Sequence, residues 1–87
     1  MYRISHGVHS TQGPDYGVVL DVRRGELFNL NTAGARILEL LKADVGEREI
    51  VDRIGIEFEI DFATAERDVR DFLTALQQHG LIEERVA

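Results

Sequence analysis

The join at Asn31 between a short apolar strand and an amphipathic helix limits what this chain can fold into. Residues 25–41 read GELFNLNTAGARILELL. Gly25 suits a tight turn, and the next five residues form a short, largely apolar segment typical of a strand. Asn31 can cap a helix, because its side chain can accept a hydrogen bond from a free amide two or three residues on. The segment therefore predicts a sheet strand that passes directly into a helix.

Two further strands are predicted before this one. Residues 2–8 alternate apolar with mostly polar or small side chains, and residues 17–22 (GVVLDV) have the strongest strand pattern in the chain. The turn signals at residues 13–15 (GPD) and 23–25 (RRG) separate the three strands. Because these connections are short, we expect antiparallel hairpins and no crossovers.

Three helices are predicted after the strands, each with apolar residues at helical spacing on one face. These residues are Gly34, Ile37, Leu38 and Leu41 in the first helix, Ile50, Val51, Ile54 and Phe58 in the second, and Phe62, Ala65, Val69, Phe72, Leu73 and Leu76 in the third. Asp61 can cap the third helix, Gly80 can end it, and Leu81 and Ile82 can fold back onto the core. The expected fold class is α+β. It is a three-stranded antiparallel meander followed by three helices (β-β-β-α-α-α), a winged-helix-like order, in a single domain over residues 1–87.

No grouping of side chains in the sequence indicates catalysis or a metal site. There are no cysteines, and no Gly-rich phosphate loop follows a strand. His6 and His9 lie three apart on a predicted strand, so they would point to opposite faces and would not easily share a metal. We therefore expect a protein that is not an enzyme and that holds no metal and no cofactor. The lack of cysteine and of a signal-peptide pattern suits a cytoplasmic protein.

The charge distribution argues against a nucleic-acid partner. The net charge is −6. Residues 1–31 hold three basic and three acidic side chains, whereas residues 32–87 hold seven basic and thirteen acidic, so the whole excess lies in the helical part. A winged-helix order raises the possibility of DNA binding, but acidic helices repel phosphate backbones and anionic lipid. We expect neither nucleic acid nor a membrane as a partner.

The sequence resembles the PqqD-like proteins, the peptide-recognition elements of pathways that modify ribosomally made peptides. Four segments carry the resemblance in the family order, namely VVLDVRRGELFNLN, GARILELL, EIVDRI and AERDVRDFLTALQQHGLIE. The most distinctive parts are the Leu30-Asn31 join and the pattern Asp68-Val69…Phe72-Leu73…Leu76…Gly80-Leu81-Ile82. Residues 1–16 are the weakest part of the resemblance.

The resemblance implies a non-catalytic module that binds the leader segment of a ribosomal precursor peptide. Such a module presents the peptide to a leader protease or another peptide-modifying enzyme. Family members bind the leader as an added strand at the edge of their third strand, in a groove against their third helix. In this sequence these elements supply Glu26, Leu27, Phe28, Asn29 and Leu30 from the strand, and Asp68, Val69, Arg70, Phe72, Leu73 and Leu76 from the helix. Among stand-alone members, the turn and strand segment is most similar to the lasso-peptide type.

The residues themselves also predict an exposed strand edge. A three-stranded meander leaves unpaired amides and carbonyls, which an extended peptide can satisfy. The alternative is a small winged-helix regulator or protein-assembly adaptor that does not bind a leader. The sequence leaves open which flank of the third helix lines the groove, that of Arg70 or that of Asp68 and Ala75.

Overall fold

The described residues, 2–85 of this computed structural model, form five strands and three helices. In chain order these are β1 (Tyr2–Ile4), β2 (Val8–Gln12), β3 (Gly17–Asp21), β4 (Glu26–Leu30), α1 (Thr32–Lys42), α2 (Glu47–Glu57), α3 (Phe62–Gln78) and β5 (Ile82–Glu84). β2, β3 and β4 form one antiparallel sheet in that order, and β1 pairs with β5 in a separate two-stranded sheet. The α+β class and the three-stranded sheet followed by three helices are confirmed.

The prediction of one strand across residues 2–8 is wrong. β1 and β2 share this segment, and the chain turns between them at Gly7, whose φ is +83°. Because L side chains rarely adopt this conformation, glycine permits the turn. β1 pairs instead with β5, and Ile4 lies opposite Ile82. His6 lies in the turn and not on a strand, so the argument from opposite strand faces does not apply to it.

The helix ends follow the local signals in the sequence. Asn31 Oδ1 accepts a hydrogen bond from Gly34 N at 2.7 Å, and Asp61 Oδ1 accepts one from Thr64 N at 2.7 Å, so both predicted caps are confirmed. α3 ends where Gly80 takes a φ of +69° and turns the chain back toward β5. Within residues 2–85 no helix has the length and apolar character to cross a membrane.

The core lies between the helices and one face of the three-stranded sheet. The side chains of the predicted apolar faces fill it, and Leu38, Ile50, Ile54 and Val69 are each at most 1% exposed. The exception is Phe62, the first residue of α3, which is half exposed. The predicted tail contact is confirmed, because Leu81 and Ile82 are buried in the same core.

β3 buries its less apolar face. Gly17, Val19 and Asp21 point to the core, while Leu20 is 39% exposed and Val22, just after the strand, is 57% exposed. Gly17 explains part of this choice, because a Cβ there would lie 3.0 Å from the Cβ of Ala35. α1 therefore packs closely on β3 only when the face that carries this glycine is turned inward.

Candidate functional site

Hydrogen bonds beyond the two ends of the β2–β3 pair establish which way each backbone group of the sheet points. Gly13 N donates to Tyr16 O at 2.9 Å, and Val22 N donates to Gly7 O at 3.0 Å, and both pairs continue the β2–β3 register. Antiparallel strands alternate between residue pairs that exchange hydrogen bonds and pairs that do not. It follows that the even-numbered residues of β3 bond to β2, and that its odd-numbered residues direct their N–H and C=O groups toward β4.

β4 is an edge strand whose open side is formed by Leu27 and Asn29. The odd-numbered residues of β3 lie opposite Glu26, Phe28 and Leu30, which therefore use their backbone groups inside the sheet. The N–H and C=O groups of Leu27 and Asn29 point away from β3. No backbone group from another element in residues 2–85 bonds to them. β4 thus offers two donors and two acceptors along one edge.

Two contacts place one side of α3 near the two ends of β4. Near the β3–β4 turn, the rings of Phe28 and His79 lie with their centroids 5.1 Å apart. Toward the other end of β4, Phe72 packs on α1 so closely that a Cβ on Gly34 would lie 3.0 Å from its ring. Phe72 and His79 are seven residues apart and so share one side of the helix. We call the surface bounded by Leu27, Phe28, Asn29, Phe72 and His79 the β4–α3 groove.

A cavity of about 350 Å³ lies at the end of the groove nearest α1. It is lined by the start of α1 and the middle of α3, through Asn31, Ala33, Gly34, Ile37, Asp68, Asp71 and Phe72. The lining combines an aromatic ring and small side chains with two carboxylates. This end of the groove can therefore hold a side chain that is largely apolar and that has a polar or basic tip.

The predicted site residues of α3 fall into three groups. Val69, Leu73 and Leu76 are at most 4% exposed and support the groove from the core. Asp68 and Phe72 line the cavity beside α1. Arg70 lies on another side of the helix, where its Nη2 is 3.3 Å from Glu47 Oε2 of α2. Successive residues of a helix are about 100° apart, so Arg70 and Phe72 cannot share a side.

Gly34 in the cavity lining and His79 in the groove were not predicted from the sequence as parts of the site. Gly34 was assigned to the apolar face of the first helix, and His79 caps α3. A signal for His79 exists in the spacing, since it follows Asp68, Phe72 and Ala75 at intervals that keep one helix side. Among residues 2–85 no three metal-ligating side chains come together.

An ion pair between a buried carboxylate and a partly exposed guanidinium lies at the end of β3. The carboxylate of Asp21 is fully buried and accepts hydrogen bonds from Arg23 Nε at 3.0 Å and Nη2 at 3.1 Å. These side-chain hydrogen bonds hold the pKa of Asp21 below its ordinary value, against the opposing effect of burial. Asp21 is therefore ionised at neutral pH and has its partner on the turn that leads into β4.

The sequence from residue 16 to residue 82 matches the family model described as coenzyme PQQ synthesis protein D (PqqD). The chain belongs to the PqqD family. The family resemblance inferred from the sequence is therefore confirmed, and the matched residues include every residue assigned above to the β4–α3 groove. No curated protein matches the chain.

Two solved structures share the fold of this PqqD-family protein along nearly its whole length. The first is TbiB1 in complex with the TbiA(beta) leader peptide, with 40% sequence identity and a TM-score of 0.87 over 98% of this chain and 99% of that one. The second is lasso peptide synthetase B1 complexed with the leader peptide, with 26% identity and a TM-score of 0.87 over 95% of this chain and 98% of that one.

Proposed function

We propose that this protein is a non-catalytic module that binds the leader segment of a ribosomal precursor peptide. The observation that carries the proposal is the free edge of β4 at Leu27 and Asn29, which runs beside the partly apolar β4–α3 groove. Membership of the PqqD family supports it, as does similarity to two B1 proteins whose structures contain leader peptides.

The leader binds as a fourth strand of the three-stranded sheet. Its backbone pairs with the N–H and C=O groups of Leu27 and Asn29, which tolerates changes of leader sequence. Alternate leader side chains then point into the groove, where they meet Phe28 and Phe72. The cavity beside Asp68 selects among these side chains, so affinity comes mainly from the strand edge and specificity from the groove.

The predicted site residues take different parts in this binding. The backbone of residues 26–30 forms the pairing edge and its support, and Phe28, Asp68 and Phe72 offer side chains to the leader. The buried apolar residues of α3 hold Phe72 in place without contact to the leader. We assign the groove to the flank of α3 that carries Asp68 and Ala75, and place Arg70 outside it because that side chain turns toward α2.

The second partner in this proposal is an enzyme that acts on the bound precursor, such as a leader protease. The similarity to a lasso peptide synthetase B1 favours a lasso-type precursor. The module itself performs no chemistry, acts as one domain in the cytoplasm where precursors are translated, and needs no cofactor. A winged-helix regulator is not favoured, since the excess of negative charge lies in the helical part of the chain.

A titration with three ligands tests this function. The leader segment, the core segment of the same precursor and a random-sequence DNA duplex are each added to 15N-labelled protein at physiological salt. We expect binding of the leader alone, with the largest amide shifts at residues 26–30. Leader shifts that spare these residues, or comparable affinity for the duplex, would contradict the proposal.

A further inference from the structure

The turn between β3 and β4 is tied to the end of α3 by two arginines. Arg23 Nη2 donates to Gly80 O at 2.9 Å, and Arg24 Nη1 donates to His79 O at 2.6 Å. Carbonyl groups at a helix C-terminus lack partners inside the helix and carry partial negative charge. Two guanidinium groups therefore close the gap between the β3–β4 turn and the helix end.

Asp21 holds both arginines in this position. Arg23 donates to its carboxylate from the backbone N at 3.1 Å as well as from the side chain, and Arg24 Nη1 lies 3.7 Å from Asp21 Oδ2. A buried carboxylate is stable only when it is paired and hydrogen-bonded, so its position restricts the conformations that the arginines can take. We call Asp21, Arg23 and Arg24 the turn clamp.

Two glycines make room for the clamp. A Cβ on Gly7 would lie 2.8 Å from Arg23 Cγ, and a Cβ on Gly80 would lie 3.4 Å from the guanidinium nitrogens of Arg24. Both glycines have positive φ, so any other residue there would also strain the backbone. The backbone on either side of the arginines is thus shaped for their close approach.

We propose that the turn clamp positions β4 against α3 and so sets the width of the β4–α3 groove before a leader arrives. His79 accepts the hydrogen bond from Arg24 and also packs its ring on Phe28, so the clamp and the groove share a residue. The clamp residues precede β4 and do not lie on its free edge. Asp21, Arg23 and Arg24 are therefore positioning residues, and this inference rests on the proposed function.

The clamp acts on leader affinity through preorganisation. Without it the β3–β4 turn can move relative to the end of α3, and leader binding must then order both elements. Within residues 2–85, the cavity end of the groove has no such tie to the β3–β4 turn, because Asp68 and Phe72 line a cavity against α1. Loss of the clamp should therefore loosen the contact of Phe28 with His79 while leaving the contact of Phe72 with Gly34 intact.

The test compares two charge-removing variants of similar chemistry. Asp21→Asn removes the carboxylate of the clamp. Glu57→Gln removes a carboxylate that also accepts hydrogen bonds from an arginine, Arg36, and whose pKa is lowered by that contact. Glu57 lies on α2, outside the groove, so this variant is the control. For each variant we measure the melting temperature, the leader Kd, and the nuclear Overhauser effects between Phe28 and His79 in the free protein.

We expect Asp21→Asn to weaken leader binding by roughly five- to tenfold, through lost preorganisation, and to weaken the Phe28–His79 effects. Glu57→Gln should change neither. Wild-type affinity in folded Asp21→Asn would overturn the clamp and leave the proposed function standing. If the wild type itself binds no leader, the proposed function fails, while the Phe28–His79 effects still test the clamp. Should Asp21→Asn not fold, Arg24→Gln replaces it with the same expectations, because it removes the hydrogen bond to His79 and the longer ion pair with Asp21 but leaves Arg23 paired with Asp21.

Discussion

The two edges of the three-stranded sheet offer similar backbones in different surroundings. On the β2 edge, Val8 N already donates to Ser5 O at 3.1 Å, and the ammonium group of Lys42 lies 2.9 Å from Ser10 Oγ. On the β4 edge, Leu27 and Asn29 have free backbone groups beside aromatic rings. A charged lysine at a strand edge discourages pairing with another strand. An apolar groove beside a strand edge favours such pairing. In the proposed function, the flanking side chains therefore determine which edge receives the leader.

The largest expected effect comes from proline at the free edge of β4. Leu27→Pro removes an outward donor and places a ring where the leader backbone would lie. The loss of a hydrogen bond and of close pairing, about 2–3 kcal/mol, should weaken leader binding roughly 30- to 150-fold. Isothermal titration calorimetry measures the change.

The matched control for this variant is Ser10→Pro, because the backbone of Ser10 points outward from the β2 edge. It should bind the leader as the wild type does. Equal losses in both variants would mean that the sheet as a whole, and not the β4 edge, was damaged.

The next largest effect on leader affinity should come from the side chain beside the β4 edge, and not from the one beside the β2 edge. Phe72 is half-buried, so Phe72→Ala should reduce the free energy of unfolding by only about 1–2 kcal/mol, less than for a fully buried ring. It should weaken leader binding about five- to thirtyfold, because the ring forms part of the groove. Denaturant melts and leader titrations measure the two quantities. Lys42→Ala, beside the β2 edge, should leave leader affinity unchanged. A loss of affinity in this variant would mean that the leader binds at the β2 edge.

Acid should lower the stability of the fold through protonation of Asp21, whose partners lie on the turn that leads into β4. The pKa of this carboxyl is lower in the folded protein than in the unfolded chain, so the ionised group stabilises the fold at neutral pH. That stabilisation is complete above the unfolded pKa of about 3.9 and is lost as the pH falls through the lower, folded value. The melting temperature of the wild type should therefore exceed that of Asp21→Asn at pH 7, and the difference should shrink below about pH 4. A difference that grows on acidification would show that the sign is wrong.

The smallest effect concerns the two flanks of α3. Arg70→Glu should leave leader affinity within about twofold, because Arg70 is exposed and its partner is Glu47 on α2. Asp68→Lys reverses a charge in the cavity lining and should change the affinity by about three- to tenfold, in a direction set by the charge of the leader. Fluorescence anisotropy with a labelled leader resolves both. A larger effect from Arg70→Glu would move the groove to the other flank.

Local signals in the sequence were sufficient to predict the β3–β4 hairpin, the cap at Asn31 and the end of α3 at Gly80. Each depends on residues only a few positions apart. The pairing of β1 with β5 joins residues more than seventy positions apart, and no local pattern shows it. The alternation at residues 2–8 predicted one continuous strand and not a turn at Gly7, because the strands on both sides of the turn contribute apolar residues to one core.

The candidate site was predictable as an edge but not as a groove. The order of the strands makes β2 and β4 the two edges of the sheet, and the resemblance to PqqD-like proteins pointed to β4. The flank of α3 that faces β4 depends on how the helix is rotated about its axis, which the mixed pattern around Arg70 and Asp68 did not determine. The contacts of Arg23 and Arg24 with the end of α3 are likewise long-range and were not anticipated.

The pairing of β1 with β5 also brings the two ends of the described chain together. Tyr2 lies opposite Glu84, and Arg3 Nε donates to Glu83 Oε1 at 2.7 Å across the same pair of strands. Neighbouring ends are compatible with circular permutation and with insertion into a host protein. An engineer could therefore splice residues 2–85 into a surface loop of an unrelated enzyme through one pair of short linkers. The fusion protein would carry a peptide-binding domain, and neither junction with the host would lie on the free edge of β4.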